Sequence, residues 1–212
     1  MDQRDVGRAL RETLWPHLAS EGFSERTERA TWRRVDGHID VVEIATVGQS
    51  ADAVGCSAVS LTGHVASVPS WLGVMDRVPL RRGRPAPHYW QTPLQTDLTK
   101  TLSQPWFRPF SRPPTKRLLP SFAAHREGLR HVVRHDVHDR PDVWYVLDDG
   151  SNLAEVVDDL LGVIRSVGLP LLDAYHDPDA VIRLVRAGAL RMAPESVAAD
   201  ELVEAAERHL AT

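Results

Sequence analysis

Three histidines in the middle of the sequence have the spacing of metal ligands on one face of a helix. His131, His135 and His138 are four and three residues apart, so a helix would bring their imidazoles together. Neutral imidazole binds zinc and other transition metals, and this spacing would let at least two rings bind one ion. Arg130 and Arg134 raise the local positive charge, which opposes a cation. The cluster is therefore either a zinc or manganese site or a group of histidines on a solvated surface.

A second group of candidates lies in a basic, aromatic segment. From Arg77 to Arg140 the chain holds 13 Lys and Arg against 4 Asp and Glu, a net charge of +9, whereas the remainder has a net charge of −13. Guanidinium groups bind phosphate and carboxylate, and aromatic rings stack on bases. The segment either binds an anionic ligand or nucleic acid, or packs over the acidic remainder of the chain. The candidate ligand contacts are Arg81, Arg82, Arg84, Arg108 and Trp106.

The single cysteine of the chain, Cys56, is a weak candidate for catalysis. As a nucleophile it would need a nearby base such as His38 or His64. Single cysteines in apolar strands are mostly inert core residues. One cysteine cannot form a disulfide within the chain, so a reducing cytoplasm is the expected compartment. The sequence has no Gly-rich phosphate loop, no Gly-x-Ser-x-Gly elbow and no zinc-type cysteine cluster, so it contains no recognisable catalytic motif.

Composition is that of a soluble globular protein. The 212 residues are 42% hydrophobic and 25% charged, which excludes disordered, collagen-like and disulfide-stapled classes. No run approaches about 18 consecutive apolar residues, so no membrane-spanning helix is expected. The charged, amphipathic N-terminus does not have a signal-peptide pattern. We expect residues 1–212 to form one domain, with an irregular basic insertion over 66–140 and a C-terminal helix over 190–212.

Periodicity predicts the elements that must position these candidates. Apolar residues recur every four positions from Val6 to Leu18, which predicts an amphipathic helix over 3–20. Asp36 and Gly37 form a hairpin turn signal between two predicted strands. Ten of the 15 prolines fall within 67–120, which predicts little regular structure there. The predicted strands are 31–35, 39–47, 53–61, 94–102 and 142–147, and the predicted later helices are 121–135, 151–166 ended by Gly168, one from Asp177 or Asp179, and 197–210.

These elements predict an α+β fold. An antiparallel sheet of about four to six strands would be packed by the N-terminal helix and by the helix over 151–166. Trp32 and Trp144 are the predicted core anchors of this arrangement. Trp71 and Trp106 adjoin prolines in the irregular segment, where we expect them at a surface or a groove.

The order of landmarks along the chain resembles a bacterial family of uncharacterised proteins, domain of unknown function 4304. The resemblance covers about residues 5–65 and 140–188, and the segment over 66–140 departs from it by being longer and richer in proline. It implies an α+β fold with an antiparallel sheet and no particular chemistry. The landmarks are the N-terminal helix, Gly22-Phe23, Thr31-Trp32-Arg33-Arg34, the strand over 43–49, the small-residue strand over 55–61, Trp144-Tyr145, a capped helix and Gly168-Leu169-Pro170 with Leu172.

We expect a soluble, cytoplasmic bacterial protein that acts as a non-enzymatic binding or protein-interaction module. Its partner would be a protein or an anionic ligand held between the sheet and the basic segment. One alternative is a metal-dependent hydrolase or nuclease that uses zinc or manganese at the histidine cluster. Another is a nucleic-acid binder, although the overall net charge of −4 is unlike that of dedicated nucleic-acid binders.

Overall fold

The chain forms a five-stranded antiparallel sheet flanked by N- and C-terminal helices, so the α+β prediction is confirmed. The computed structural model describes residues 1–48, 51, 56–102, 140–190 and 199–212. The strands are β1 (Glu25–Arg26), β2 (Ala30–Val35), β3 (His38–Thr46), β4 (Leu61–Val68), β5 (Leu80–Arg81), β6 (Arg84–Pro85) and β7 (Leu94–Asp97). The sheet has the order β1-β2-β3-β4-β7, and β5 and β6 form a separate two-stranded hairpin.

The hairpin between β2 and β3 turns where the sequence predicts it. Val35 pairs with His38, which leaves Asp36 and Gly37 as the two loop residues. Both have positive φ, 49° and 82°. A two-residue turn of this kind matches the twist of the flanking strands, and aspartate followed by glycine adopts it at low cost. The turn fixes the register that places alternate β3 side chains on opposite faces of the sheet.

Two long helical stretches each contain a wider, π-helical turn just before a proline. Leu10–Leu14 joins the first pair of helices and Ile164–Gly168 joins the second pair. Pro16 and Pro170 then fall in the first turn of the following helix, where a missing N–H is tolerated. The helices are α1 (Gln3–Ala9), α2 (Trp15–Ser20), α3 (Leu153–Val163), α4 (Leu169–His176), α5 (Pro178–Arg186) and α6 (Ala199–Leu210).

The prediction that Gly168 ends a helix is wrong, because the chain stays helical through it into α4. A Cβ at this position would lie 3.0 Å from Val65 Cγ1 on β4. The glycine therefore serves close packing of helix against sheet. None of the helices in the described ranges is long and apolar enough to cross a membrane.

Helices cover one face of the sheet and form the larger core. Buried side chains of the N-terminal helices, α3 and α4 share this core with the even-numbered residues Val42 and Ile44 of β3 and the odd-numbered residues Leu61 and Val65 of β4. Trp144 is fully buried in this core, as predicted. Trp71 is half-buried against it and its Nε1 donates to the Tyr175 carbonyl at 3.3 Å, so it is not a free surface residue. The central side chains include Leu10, Leu14, Val42, Ile44, Leu61, Val65, Leu160 and Tyr175.

The opposite face of the sheet is covered by the proline-rich segment that follows β4. Trp32 is 2% exposed on this face, as predicted for a core anchor, and its Nε1 donates to the Pro87 carbonyl at 2.8 Å. The segment contributes the buried side chains Val78 and Ala86, with Val74, Met75 and Tyr89 partly buried. The proline-rich segment therefore buries the apolar side chains of this face, as the helices bury those of the other.

The predicted strand over 142–147 is wrong as a strand, although Val143, Trp144, Tyr145 and Val146 are buried. Only Trp144 forms a β-bridge, to Leu61. Side chains supply several of the other hydrogen bonds to this backbone. Lys100 Nζ donates to the Val143 carbonyl, Asn152 Nδ2 donates to the Tyr145 carbonyl, and Asn152 Oδ1 accepts from Leu147 N. Ser60 Oγ accepts from Val146 N.

Two further strand predictions need correction. The predicted strand over 53–61 is wrong for the residues described there before Leu61. Residues 56–60 form a bend and a turn, and β4 begins at Leu61. The last sheet strand stops at Asp97 rather than at 102. The predicted helix over 121–135 lies outside the described residues.

We expect Gly63→Val to lower the free energy of unfolding by about 1–3 kcal/mol, because overpacking a filled core has this cost. Even a Cβ at Gly63 would lie 2.7 Å from Leu160 Cδ1 and 3.4 Å from Leu98 Cδ1. Urea unfolding measures the change. The control is Gly162→Ala in α3, where a Cβ meets nothing within 4 Å, and there we expect stabilisation of about 0.5–1 kcal/mol. Equal effects at both positions would contradict the packing argument.

Candidate functional site

The hairpin of β5 and β6 carries three exposed arginines. It belongs to the proline-rich segment that covers one face of the sheet. Its two loop residues are Arg82 and Gly83, with φ of 52° and 76°. Positive φ at both positions is the requirement of the tight turn that joins two paired strands. Arg81 pairs with Arg84 across the hairpin, so three exposed guanidinium groups come from four consecutive residues.

The hairpin lies beside the short edge strand β1, and a pocket of about 260 Å³ lies between them. Arg81 Nη1 donates to the Arg26 carbonyl at 3.2 Å, which joins hairpin to strand. Arg34 donates to the Pro85 carbonyl and holds β6 against β2. The pocket is lined by Glu25, Arg26, Trp32, Arg81, Arg82, Arg84 and Ala86.

Positive charge dominates this pocket. Among the described residues, four arginines and one carboxylate, that of Glu25, line it. Glu25 Oε1 lies 2.7 Å from Arg34 Nη1 and 3.0 Å from Arg84 Nη1. Two guanidinium groups thus already converge on one carboxylate oxygen, and this is the arrangement by which arginines bind an oxyanion.

The structure brings together three of the sequence-predicted contacts, Arg81, Arg82 and Arg84. Sequence reasoning missed Glu25 and Arg26, because they precede the hairpin by more than fifty residues and form a strand of only two residues. Two other predicted contacts, Arg108 and Trp106, lie outside the described residues.

The candidate metal ligands His131, His135 and His138 also lie outside the described residues, so zinc or manganese binding there stays a prediction. Within the described ranges, no group of three or more His, Cys, Asp or Glu side chains is placed to hold a metal ion.

A buried polar network joins the sheet to α4 on the helix-covered face. The Asp40 carboxylate is 0% exposed and accepts from Arg33 Nε at 2.9 Å and from His176 Nε2 at 2.9 Å. Arg33 also donates to Asp173 at 2.7 Å. Burial alone would lower the pKa of Arg33, but its hydrogen bonds to Asp173 and Asp40 outweigh burial and raise it. Through these hydrogen bonds the Asp40 carboxylate on β3 ties β2 and α4 together.

His38 lies beside this network with a fixed hydrogen-bonding role. Its ring stacks on His176 with centroids 4.1 Å apart. Ser70 N donates to His38 Nδ1 at 3.1 Å, so the proton of the neutral ring is on Nε2. Burial lowers the pKa of His38, and the nearby His176 lowers it further. His38 is therefore a structural acceptor rather than a base for Cys56.

The Cys56 thiol is buried, and burial raises its pKa to about 11. A thiol with such a pKa is protonated at neutral pH and is a poor nucleophile. This agrees with the expectation of an inert core cysteine.

A second pocket, about 350 Å³, adjoins Cys56 and the turn at Asp148 and Asp149.

Comparison with known proteins adds no identification. No family model, no curated protein and no solved structure matches the chain. The resemblance to domain of unknown function 4304 stays a prediction that rests on its sequence landmarks.

We expect wild-type protein to lose stability relative to His38→Gln as the pH falls from 7.5 to 5.5. His38 has a lowered pKa when folded, so below about pH 6.5 the unfolded chain binds more protons than the folded chain. Stability from the neutral ring is therefore present at high pH and lost on acidification. Glutamine keeps an acceptor for Ser70 N but does not titrate.

The melting temperatures of the two proteins across this pH range measure the effect. Asp36, Asp40 and His176, the charged neighbours of His38, are present in both proteins, so the two chains differ only at position 38. Parallel curves would show that the protonation of His38 is not linked to folding.

Proposed function

We propose that this protein is a cytoplasmic module that binds a compact anionic ligand in the pocket between β1 and the β5–β6 hairpin. The observation that carries the proposal is the convergence of Arg34 and Arg84 on one oxygen of Glu25, a residue of the pocket that Arg84 and three further arginines line. Phosphate and carboxylate groups fit such a set of donors. The single cysteine supports the reducing compartment.

The size of the pocket favours a small ligand or a small charged group on a larger one. Its volume of about 260 Å³ is below the roughly 300–1,000 Å³ of pockets that enclose drug-sized ligands. Trp32 lines the pocket but is only 2% exposed, so its ring offers little surface for a base to stack on. Both features favour an oxyanion such as phosphate or pyrophosphate over an extended nucleic acid.

Arg82→Asn should weaken binding of inorganic pyrophosphate about fivefold, since an exposed charge contact contributes about 1 kcal/mol. Asparagine tolerates the positive φ of 52° at this turn position, so the hairpin is kept. Isothermal titration calorimetry at low salt measures Kd. The combined variant Arg81→Gln, Arg82→Asn, Arg84→Gln should abolish binding with little change in melting temperature.

The matched control is Arg208→Gln in α6, whose side chain is 70% exposed and far along the chain from the hairpin. It should leave Kd unchanged. Equal weakening by both variants would show non-specific electrostatic attraction. Unfolding of the combined variant would show that the hairpin is structural. A single-stranded oligonucleotide that binds more tightly than pyrophosphate, with a steep salt dependence, would favour the nucleic-acid alternative.

Glu25→Gln should strengthen pyrophosphate binding about 1.4- to fivefold. The carboxylate is a competing occupant for Arg34 and Arg84, and release from partly exposed ion pairs of this kind is worth about 0.2–1 kcal/mol. The same titration measures the effect, with Glu204→Gln on α6 as the control for a change in net charge. Weaker binding by Glu25→Gln would mean that Glu25 organises the arginines instead of competing for them.

A further inference from the structure

Three polar side chains form a chain of hydrogen bonds, here called a relay, on the face of the sheet that the proline-rich segment covers. The anion-binding proposal does not use them. Thr62 and His64 lie two residues apart on β4, so their side chains share a face. Asp97 on β7 is the register partner of His64 and lies on the same face. Asp97 Oδ1 is 2.8 Å from His64 Nδ1, and His64 Nε2 is 3.0 Å from Thr62 Oγ1.

Hydrogen-bond chemistry fixes the direction of this relay. The Asp97 carboxylate only accepts, so His64 Nδ1 carries the proton of the neutral ring. The lone pair of His64 is then on Nε2, and the Thr62 hydroxyl must be the donor to it. This is the order of carboxylate, imidazole and hydroxyl by which a general base activates a nucleophile.

The surroundings hold the imidazole in this orientation. The His64 ring stacks on the Tyr89 ring with centroids 3.8 Å apart and planes 4° from parallel. Glu43, the register partner of His64 on β3, accepts from Tyr89 N at 3.2 Å and so anchors the stacking residue. The His64 side chain is 9% exposed, whereas Thr62 is half-buried, so the histidine is the more shielded of the two residues.

We propose that Thr62 is a nucleophile for acyl transfer, with His64 as its general base and Asp97 as the positioning residue. The substrate class follows from charge. Glu43 and Asp97 place two carboxylates on the strands that flank His64, and these repel a phosphoryl group but not a neutral ester carbonyl. The site is on β4 and β7, whereas the arginine pocket adjoins β1 at the other end of the strand order, so the two proposals are independent.

The reaction balances with ester and water alone. Thr62 Oγ bonds to the carbonyl carbon as its proton passes to His64 Nε2. The same proton then goes to the leaving oxygen as the ester C–O bond breaks, which releases the alcohol and leaves acyl-Thr62. Water, with its proton taken by His64, attacks the acyl group, and the returning proton regenerates the Thr62 hydroxyl as the acid leaves.

The experiment is incubation of the whole protein with p-nitrophenyl acetate, followed by peptide mass spectrometry. We expect release of p-nitrophenolate and an acetyl group on Thr62. Thr62→Val should remove that adduct, and Thr62→Ser should retain it. Asp97→Asn should slow acetylation by about a hundredfold, within the usual contribution of a positioned base. Imidazole ¹⁵N spectra should show the proton of neutral His64 on Nδ1 in wild type and a changed tautomer in Asp97→Asn.

The control variant is Thr101→Val, because the Thr101 hydroxyl bonds the Asp159 carboxylate with no histidine between them. It should leave acetylation of Thr62 unchanged. An acetyl group confined to lysine, tyrosine or the N-terminus of wild type would overturn the proposal, and so would equal release by Thr62→Val. The wild-type adduct map decides the matter even where a variant fails to fold.

Discussion

The two central strands, β3 and β4, are buried on both faces, and the remaining architecture follows from this constraint. Helices satisfy one face, with Val42, Ile44 and Val65 in the larger core. The other face carries Val41, Ala66 and their neighbours, and burying it needs a second layer. No α-helix in the described ranges contributes to that layer, and the proline-rich chain after β4, with its short 3-10 turns, provides it instead. Proline suits this role because irregular chain with fewer backbone donors has fewer N–H groups to satisfy when it packs on a sheet.

Because the proline-rich segment buries its face of the sheet, polar side chains on that face need hydrogen-bond partners. Glu43, His64 and Asp97 lie on this face, and a buried polar group without a hydrogen bond destabilises the fold. Glu43 accepts from Tyr89 N and pairs with His88, whereas Asp97 pairs with His64. The pairing of Asp97 with His64 aligns carboxylate, imidazole and the Thr62 hydroxyl. The covering segment also positions the arginines, because the β5–β6 hairpin is part of it.

Two wrong predictions of secondary structure, the strand over 142–147 and the helix end at Gly168, have causes in the tertiary structure. The apolar stretch over 142–147 is buried as expected, but side chains of Lys100, Asn152 and Ser60 take the place of a neighbouring strand. Gly168 resembles a helix stop, yet it is a contact point with Val65. The local pattern correctly predicts that the stretch over 142–147 is buried. Contacts with residues distant in sequence determine that this stretch is not a strand and that Gly168 lies within a helix.

The sequence by itself determines the elements whose signals are local. These are the terminal helices, the turn at Asp36 and Gly37, the core tryptophans Trp32 and Trp144, and the antiparallel α+β class. It also indicates that Arg81, Arg82 and Arg84 cluster, since they are neighbours in the chain. Only the tertiary structure decides that Glu25 meets these arginines, that Asp97 meets His64, and that proline-rich chain covers a sheet face. Such pairings depend on strand register and packing between residues tens of positions apart, which periodicity over a short window does not encode.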